Sequence, residues 1–164
     1  MAKTSATTSM SAGAVVEGLN ETLRALNGIG KEANAAIRTE VQKIATMMGQ
    51  EIAAAGRARS SRDAFVAGTI RGTRDRTPVI KIGAAKRMPV SRPGPGPRAS
   101  DLMFGMEFGA NQRGPNGWRF PERTPGLGRG NAGYWIFPTA RKQQPRVLEM
   151  WAKALEKVAK EWAK

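Results

Sequence analysis

The chain has no cysteine and no histidine in its 164 residues. Without cysteine there are no disulfides and no thiolate metal sites, and the redox compartment stays open. Without histidine the commonest general base and metal ligand is missing. Acid–base chemistry would have to rest on thirteen carboxylates. Most of these fall on helix patterns beside Lys or Arg, where a solvated role is the default. No apolar run approaches the roughly 20 residues of a membrane span. The N-terminal MAKTSATTSMSAG lacks the apolar stretch of a signal peptide, so export is not expected. No catalytic, cofactor-binding or metal-binding residue is expected.

What the chain does have is positive charge, unevenly spread. Its net charge is +14. Residues 1–55 hold five basic and five acidic groups, residues 56–100 eleven and two, and residues 101–164 eleven and six. The excess therefore sits on the middle segment, where Arg57, Arg59, Arg62, Arg71, Arg74 and Arg76 are the candidate contacts to DNA or another polyanion. A solvated basic face is the alternative.

Residues 1–13 are small and polar and read as an arm. From Ala14 the pattern becomes helical, with Leu19, Leu23 and Leu26 on one face up to the Gly28-Ile29-Gly30 break. A long helix follows from Lys31 to about Ala55, its apolar series Ala33, Ile37, Val41, Ile44, Met48 and Ile52 recurring at three and four. Gly56 is its expected stop. Ile37, Val41, Ile44 and Met48 face either the core or a neighbouring subunit. After the basic connector Arg57–Arg62 come two expected strands, 64–71 and 78–83, joined as an antiparallel hairpin. The Pro- and Gly-rich stretch 84–100 is a loop, either a basic arm reaching a partner through Arg87, Arg92 and Arg98 or a linker.

Seven of the ten aromatic residues lie between Phe104 and Phe137. Strand is expected over 102–109, and Trp118–Phe120 is expected to pair with Tyr134–Phe137 across a long tip. Phe108, Trp118, Trp135, Phe137, Trp151 and Trp162 are the expected core anchors. Gly128-x-Gly130-x-x-Gly133 has dinucleotide-binding spacing, but no buried strand leads in, an apolar strand-like run follows where a helix should start, and no βαβ unit surrounds it, so the match is spurious. The last helix is expected to begin between Thr139 and Pro145, with a seam of Leu148, Trp151, Leu155, Val158 and Trp162. These elements make an α+β domain over 14–164: helical to 55, sheet and loops over 56–138, and a helix over 139–164. In it a small twisted antiparallel sheet packs against the two long helices.

In order along the chain, the layout resembles the phage tail-component family of long-tailed bacteriophages, the small neck proteins that complete or terminate the tail. Three features carry the likeness. They are the helical half LNETLRALNGIGKEANAAIRTEVQKIATMMGQEI, the apolar-Glu-Phe-Gly turn Met106–Gly109 after a Pro-rich basic loop, and Trp135-Ile-Phe-Pro138-Thr-Ala140 leading into LEMWAKALEKVAKEW. The chain departs from the family at Ser61-Arg-Asp-Ala-Phe65, where a Gly-x-Leu-x-x-Ser pattern is common, and in its longer 110–133 segment. The resemblance implies a non-enzymatic virion protein with no cofactor, assembled in the host cytoplasm. It implies a homo-oligomeric ring, sixfold, around the DNA channel, with a tail-tube protein and a head-closure protein as neighbours. Ring contacts would then include Arg113 and Arg129 in the glycine-rich loops. A small basic nucleic-acid-binding protein is the alternative from a different class.

Overall fold

The computed structural model describes residues 30–91, 93–110, 113–114, 118–120 and 133–162. The expected arm 1–13, the first helix from Ala14, Arg92 and Arg129 lie outside the described residues, as do the side chains of Trp118 and Trp162. The described chain is α+β, with four helices and two small antiparallel two-stranded ladders.

Helix α1 (Lys31–Arg59) is the spine. Its apolar residues recur at helical spacing, so Ala33, Ile37, Val41, Ile44 and Ile52 share one face, none more than 3% exposed. Glu32 in the first turn and Arg57 and Arg59 in the last suit the helix dipole. At 1.5 Å per residue the helix runs about 43 Å. Gly56 does not end it. A Cβ there would lie 2.5 Å from the Trp135 ring, so this glycine serves close packing. Termination comes at Ser60, whose extended backbone turns the chain and whose Oγ accepts the Asp63 N–H at 3.1 Å.

That cap starts α2 (Ser61–Ala67), where a strand was expected. The alternation from Phe65 to Arg71 loses to the Ser60-x-x-Asp63 N-terminal signal. The extended part shrinks to β1 (Arg71–Thr73), which pairs with β2 (Val79–Lys81), Gly72 opposite Ile80. The expected hairpin is present, with three residues in each strand.

The expected strand over 102–109 is also helical, forming most of α3 (Ala99–Phe108). Asp101 Oδ2 accepts the Arg98 N–H at 3.2 Å. Ala99, Leu102, Met103 and Met106 form its buried face, and Phe104 and Phe108 stack one turn apart at 6.5 Å. An apolar run this short fits either periodicity, and here the N-terminal carboxylate and the i, i+4 pairs decide for helix. Strands β3 (Arg113–Gly114) and β4 (Trp118–Arg119) pair with each other. Trp118 and Arg119 therefore do not pair with Tyr134–Phe137, and Ile136 instead opens helix α4 (Ile136–Trp162). Pro145, expected in the first turn, lies well inside it.

The core is helical and has two parts along α1. In the first, Ala33, Ile37, Val41 and Ile44 meet Val147, Trp151, Ala154 and Val158 of α4. In the second, Ile52 and Ala53 meet α2, α3, Trp135 and Ile136. Met48 is half-buried and touches both. Ile37, Val41 and Ile44, read as possible neighbour contacts, are thus occupied within the subunit. The β1–β2 hairpin leans on α1 through Gly72, Ile70, Ile80 and Ile82. The helices therefore form the frame, and the ladders are attachments to it.

Two bonds fasten α4 from the side. Trp151 Nε1 donates to the Arg76 carbonyl at 3.1 Å. Trp151→Phe removes the donor and leaves a void where the rest of the indole packed, so a loss of about 2–3 kcal/mol in chemical unfolding is expected. Glu40 on α1 accepts from Lys43 at 2.9 Å and faces Lys157 of α4 at 3.7 Å. The Lys43 hydrogen bond, helped by the Lys157 charge, holds the Glu40 carboxyl below its ordinary 4.5. A lowered pKa stabilises the fold above 4.5, and that contribution is lost as pH falls through the folded value. On this partly exposed site it is worth no more than about 1 kcal/mol. Glu40→Gln is expected to flatten the acid limb of the stability–pH curve by that amount.

Candidate functional site

The most constrained point of the fold is Glu107, at the end of α3. Its side chain is fully buried. One carboxylate oxygen accepts the backbone N–H groups of Trp135 and Ile136 at 3.1 and 2.9 Å, and the other accepts that of Phe137 at 2.8 Å. The Glu107 carbonyl accepts the Tyr134 N–H at 2.8 Å. These are donors that a helix start leaves without intrahelical partners. The cap of α4 is therefore a side chain 28 residues upstream, which explains why the helix begins well before Pro145. Gly133 permits the approach, since a Cβ there would overlap Glu107 Oε1. Burial pushes the Glu107 carboxyl upward, while the three N–H groups and the nearby Arg59 guanidinium pull the other way.

Arg59 forms the second knot. Its guanidinium donates to Asp63 Oδ2 at 2.9 Å and to the Met106 carbonyl at 3.4 Å. It also lies 4.2 Å from the centre of the Tyr134 ring. One cation thus ties α1, α2, α3 and the approach to α4 together. Asp63 is fully buried, and Ser60 Oγ donates to its Oδ2 at 2.6 Å. Asp63 Oδ1 and Trp135 Nε1 are buried with no hydrogen-bond partner among the described residues. Beside the knot is an open cleft of about 310 Å³ lined by Arg59, Ser60, Ser61, Arg62, Asp63, Met106 and Phe120. Glu107 is not among the residues that line the cleft. Among the described residues no three or more His, Cys, Asp or Glu gather as a metal site would need. No helix among them is long and apolar enough to cross a membrane.

The six arginines read as polyanion contacts separate into different settings. Arg59 is exposed, with its guanidinium tied to Asp63 and the Met106 carbonyl. Arg74 reaches back to α1, donating to Thr39 Oγ1 at 3.4 Å and to the Ala35 carbonyl at 3.5 Å. Arg76 is half-buried under Trp151, and Arg62 is half-buried at the cleft. Arg57, Arg71 and Arg74 are exposed as well. Of the expected partner contacts, Arg87 and Arg98 are exposed and form an isolated antiparallel bridge, with Arg87 also donating to the Gly96 carbonyl at 2.8 Å. Arg113 lies opposite Arg119 in the second ladder. Of the expected anchors, Trp135 and Trp151 are buried. Phe108 and Phe137 are half-buried against each other at 5.5 Å.

No protein-family model, curated protein or solved structure matches the chain.

The sequence marks Glu107 as the acid of the apolar-Glu-Phe-Gly turn, with no partner or role for its carboxylate, and gives no role to Asp63 or Lys81. For Asp63 a signal existed, because Ser60-x-x-Asp63 is a capping pattern. For Glu107 the sign was local too: one carboxylate among Leu102, Met103, Met106 and Phe108 must find donors once buried. For Lys81 the signal appears only once the hairpin register is known.

Proposed function

We propose that the chain is a structural protein of the bacteriophage virion, a subunit of the head–tail junction that completes or terminates the tail. On this reading it forms a homo-oligomeric ring, sixfold, around the DNA channel and joins the tail tube to the head. Its neighbours are copies of itself, a tail-tube protein and a head-closure protein, and it is assembled in the host cytoplasm. It performs no catalysis and needs no cofactor.

One observation carries this reading. The two short motifs on which the family resemblance rests, Met106–Gly109 and Trp135–Ala140, are joined by the Glu107 carboxylate. Residues that recur together as a motif in a non-enzymatic family should be those that fix its frame, and these do. The frame leaves the basic hairpin, the Pro- and Gly-rich stretch 84–98 and the segment between the motifs for contact with neighbours. A ring is built from heterologous contacts, in which different faces meet, and such attachments on one rigid spine suit that geometry.

The test is the oligomeric state of the full chain, read by native mass spectrometry and negative-stain imaging. A closed ring of one copy number is expected, stabilised by tail-tube protein. A chain that stays monomeric at high concentration, with tail-tube protein present, would sink the proposal.

A further inference from the structure

In the first ladder Arg71 lies directly opposite Lys81, and both are exposed. Gly72 and Ile80, between them and the next pair, face α1, so Arg71 and Lys81 project from the other, outer face. Beyond Gly83, whose φ is +81°, Arg87 lies opposite Arg98 in an isolated antiparallel bridge. The flanking bonds are Met88 N–H to the Pro97 carbonyl and Ala99 N–H to the Lys86 carbonyl. That pattern marks a pair without mutual hydrogen bonds, in which opposed Cα atoms are only about 4.5 Å apart. Lys86, beside it, is exposed and reaches over the Phe65 ring.

Like charges directly opposite each other destabilise a ladder. The sequence offers little to neutralise them: from Arg71 to Arg98 it has eight basic residues and one acidic residue, Asp75. None of Arg71, Lys81, Lys86, Arg87 and Arg98 forms an ion pair among the described residues. Two like-charged pairings within one stretch of chain make sense if an anion lies across both.

We infer that the outer face of the hairpin and the bridge that follows it, with Arg71, Lys81, Lys86, Arg87 and Arg98, form a strip that binds the phosphate backbone of duplex DNA without reading its sequence. Three observations select this partner. Duplex DNA presents one negative charge per about 1.7 Å of axis, a continuous match for a row of cations. A protein partner would call for a less charged centre to the contact, since interface cores are depleted in charge. Single strands are bound through exposed aromatic platforms, and the large exposed apolar side chain among the described residues, Phe104, lies on α3 and outside the strip. The inference deepens the head–tail reading and rests on it for the source of the DNA.

The test uses the full chain in whatever oligomeric state it adopts, titrated with a short mixed-sequence duplex between about 50 and 200 mM salt. Arg71→Gln/Lys81→Gln is expected to weaken binding at least tenfold at the lower salt. It should also reduce the slope of log affinity on log salt by about 2, one unit for each lost phosphate contact. The same substitutions remove a repulsion, so Tm should stay level or rise. Lys142→Gln/Lys160→Gln, an equal charge change on exposed residues of α4, should leave the slope unchanged.

Equal losses in the two double variants would overturn the strip, leaving only net charge. So would a polyglutamate that competes as well as DNA, which would indicate an acidic protein face. A ring that does not bind the duplex overturns this inference and leaves the ring intact. A monomer that binds it through the strip does the reverse.

Discussion

Glu107→Gln is expected to lower the stability of the chain by about 3 kcal/mol, and to lower Tm by roughly 6–12 °C at this chain length. Two effects compete. Burial of the carboxylate is costly, and removing its charge relieves that cost. Against this, the two carboxylate oxygens accept three backbone N–H groups. A glutamine offers one oxygen, and its NH₂ group then faces at least one N–H donor. Each buried donor left without an acceptor costs about 1–3 kcal/mol, and the three lie side by side at the start of a 27-residue helix. Loss of acceptors should win. Glu107→Ala, which leaves all three unpaired and a void besides, should be worse. The measurement is urea unfolding of both variants. Equal or greater stability of the glutamine variant would mean that charge burial outweighs the hydrogen bonds.

Gly72→Ala is the second large effect, and its sign is opposite to the usual one. In an open strand, replacing glycine by alanine gains up to about 1 kcal/mol of backbone entropy. Here the new Cβ would lie 2.6 Å from the Thr46 nitrogen and 2.7 Å from the Ala45 carbonyl carbon. These are backbone atoms in the middle of α1, and no rotamer change can move them aside. The hairpin must lift off the helix, separating Ile70, Ile80 and Ile82 from the second part of the core. Overpacking of this kind costs about 1–3 kcal/mol and at times more. A net loss of about 2–3 kcal/mol is expected in chemical unfolding, with faster amide exchange across Arg71–Lys81. A variant as stable as the parent would show that the hairpin is not held on α1.

The long helices were legible in the sequence because their partners repeat every three or four residues. Val41 and Ile44 announce their face, and Trp151 and Val158 announce theirs. The α4 seam runs through Val147, Trp151, Ala154 and Val158, close to the expected line, with Leu155 at its edge. The hairpin was legible as a position but not as an extent, since a cap at Ser60 claimed residues that alternation had assigned to a strand. Helix α3 was misread because a short apolar run satisfies both periods. The clasp could not be found by any local rule: Glu107 and the N–H groups it accepts are separated by most of the aromatic stretch. The basic excess was visible as charge, yet its division into Arg59 tied to Asp63, lateral Arg74 and opposed Arg71 and Lys81 depends on register and on what each side chain reaches.

The clasp also has a consequence for the segment it encloses. Glu107 holds the chain before the segment and Trp135 to Phe137 hold the chain after it, while Phe120 within it packs on the second part of the core. Doubling the length of a flexible connection costs only about 0.6 kcal/mol in closure entropy, less than leaving one of those N–H groups unpaired. The length of chain between Phe120 and Gly133 can therefore change at little entropic cost while these fastenings stay as they are. A connection bounded in this way is a cassette on a fixed mount, and its length is set apart from the rebuilding of the core.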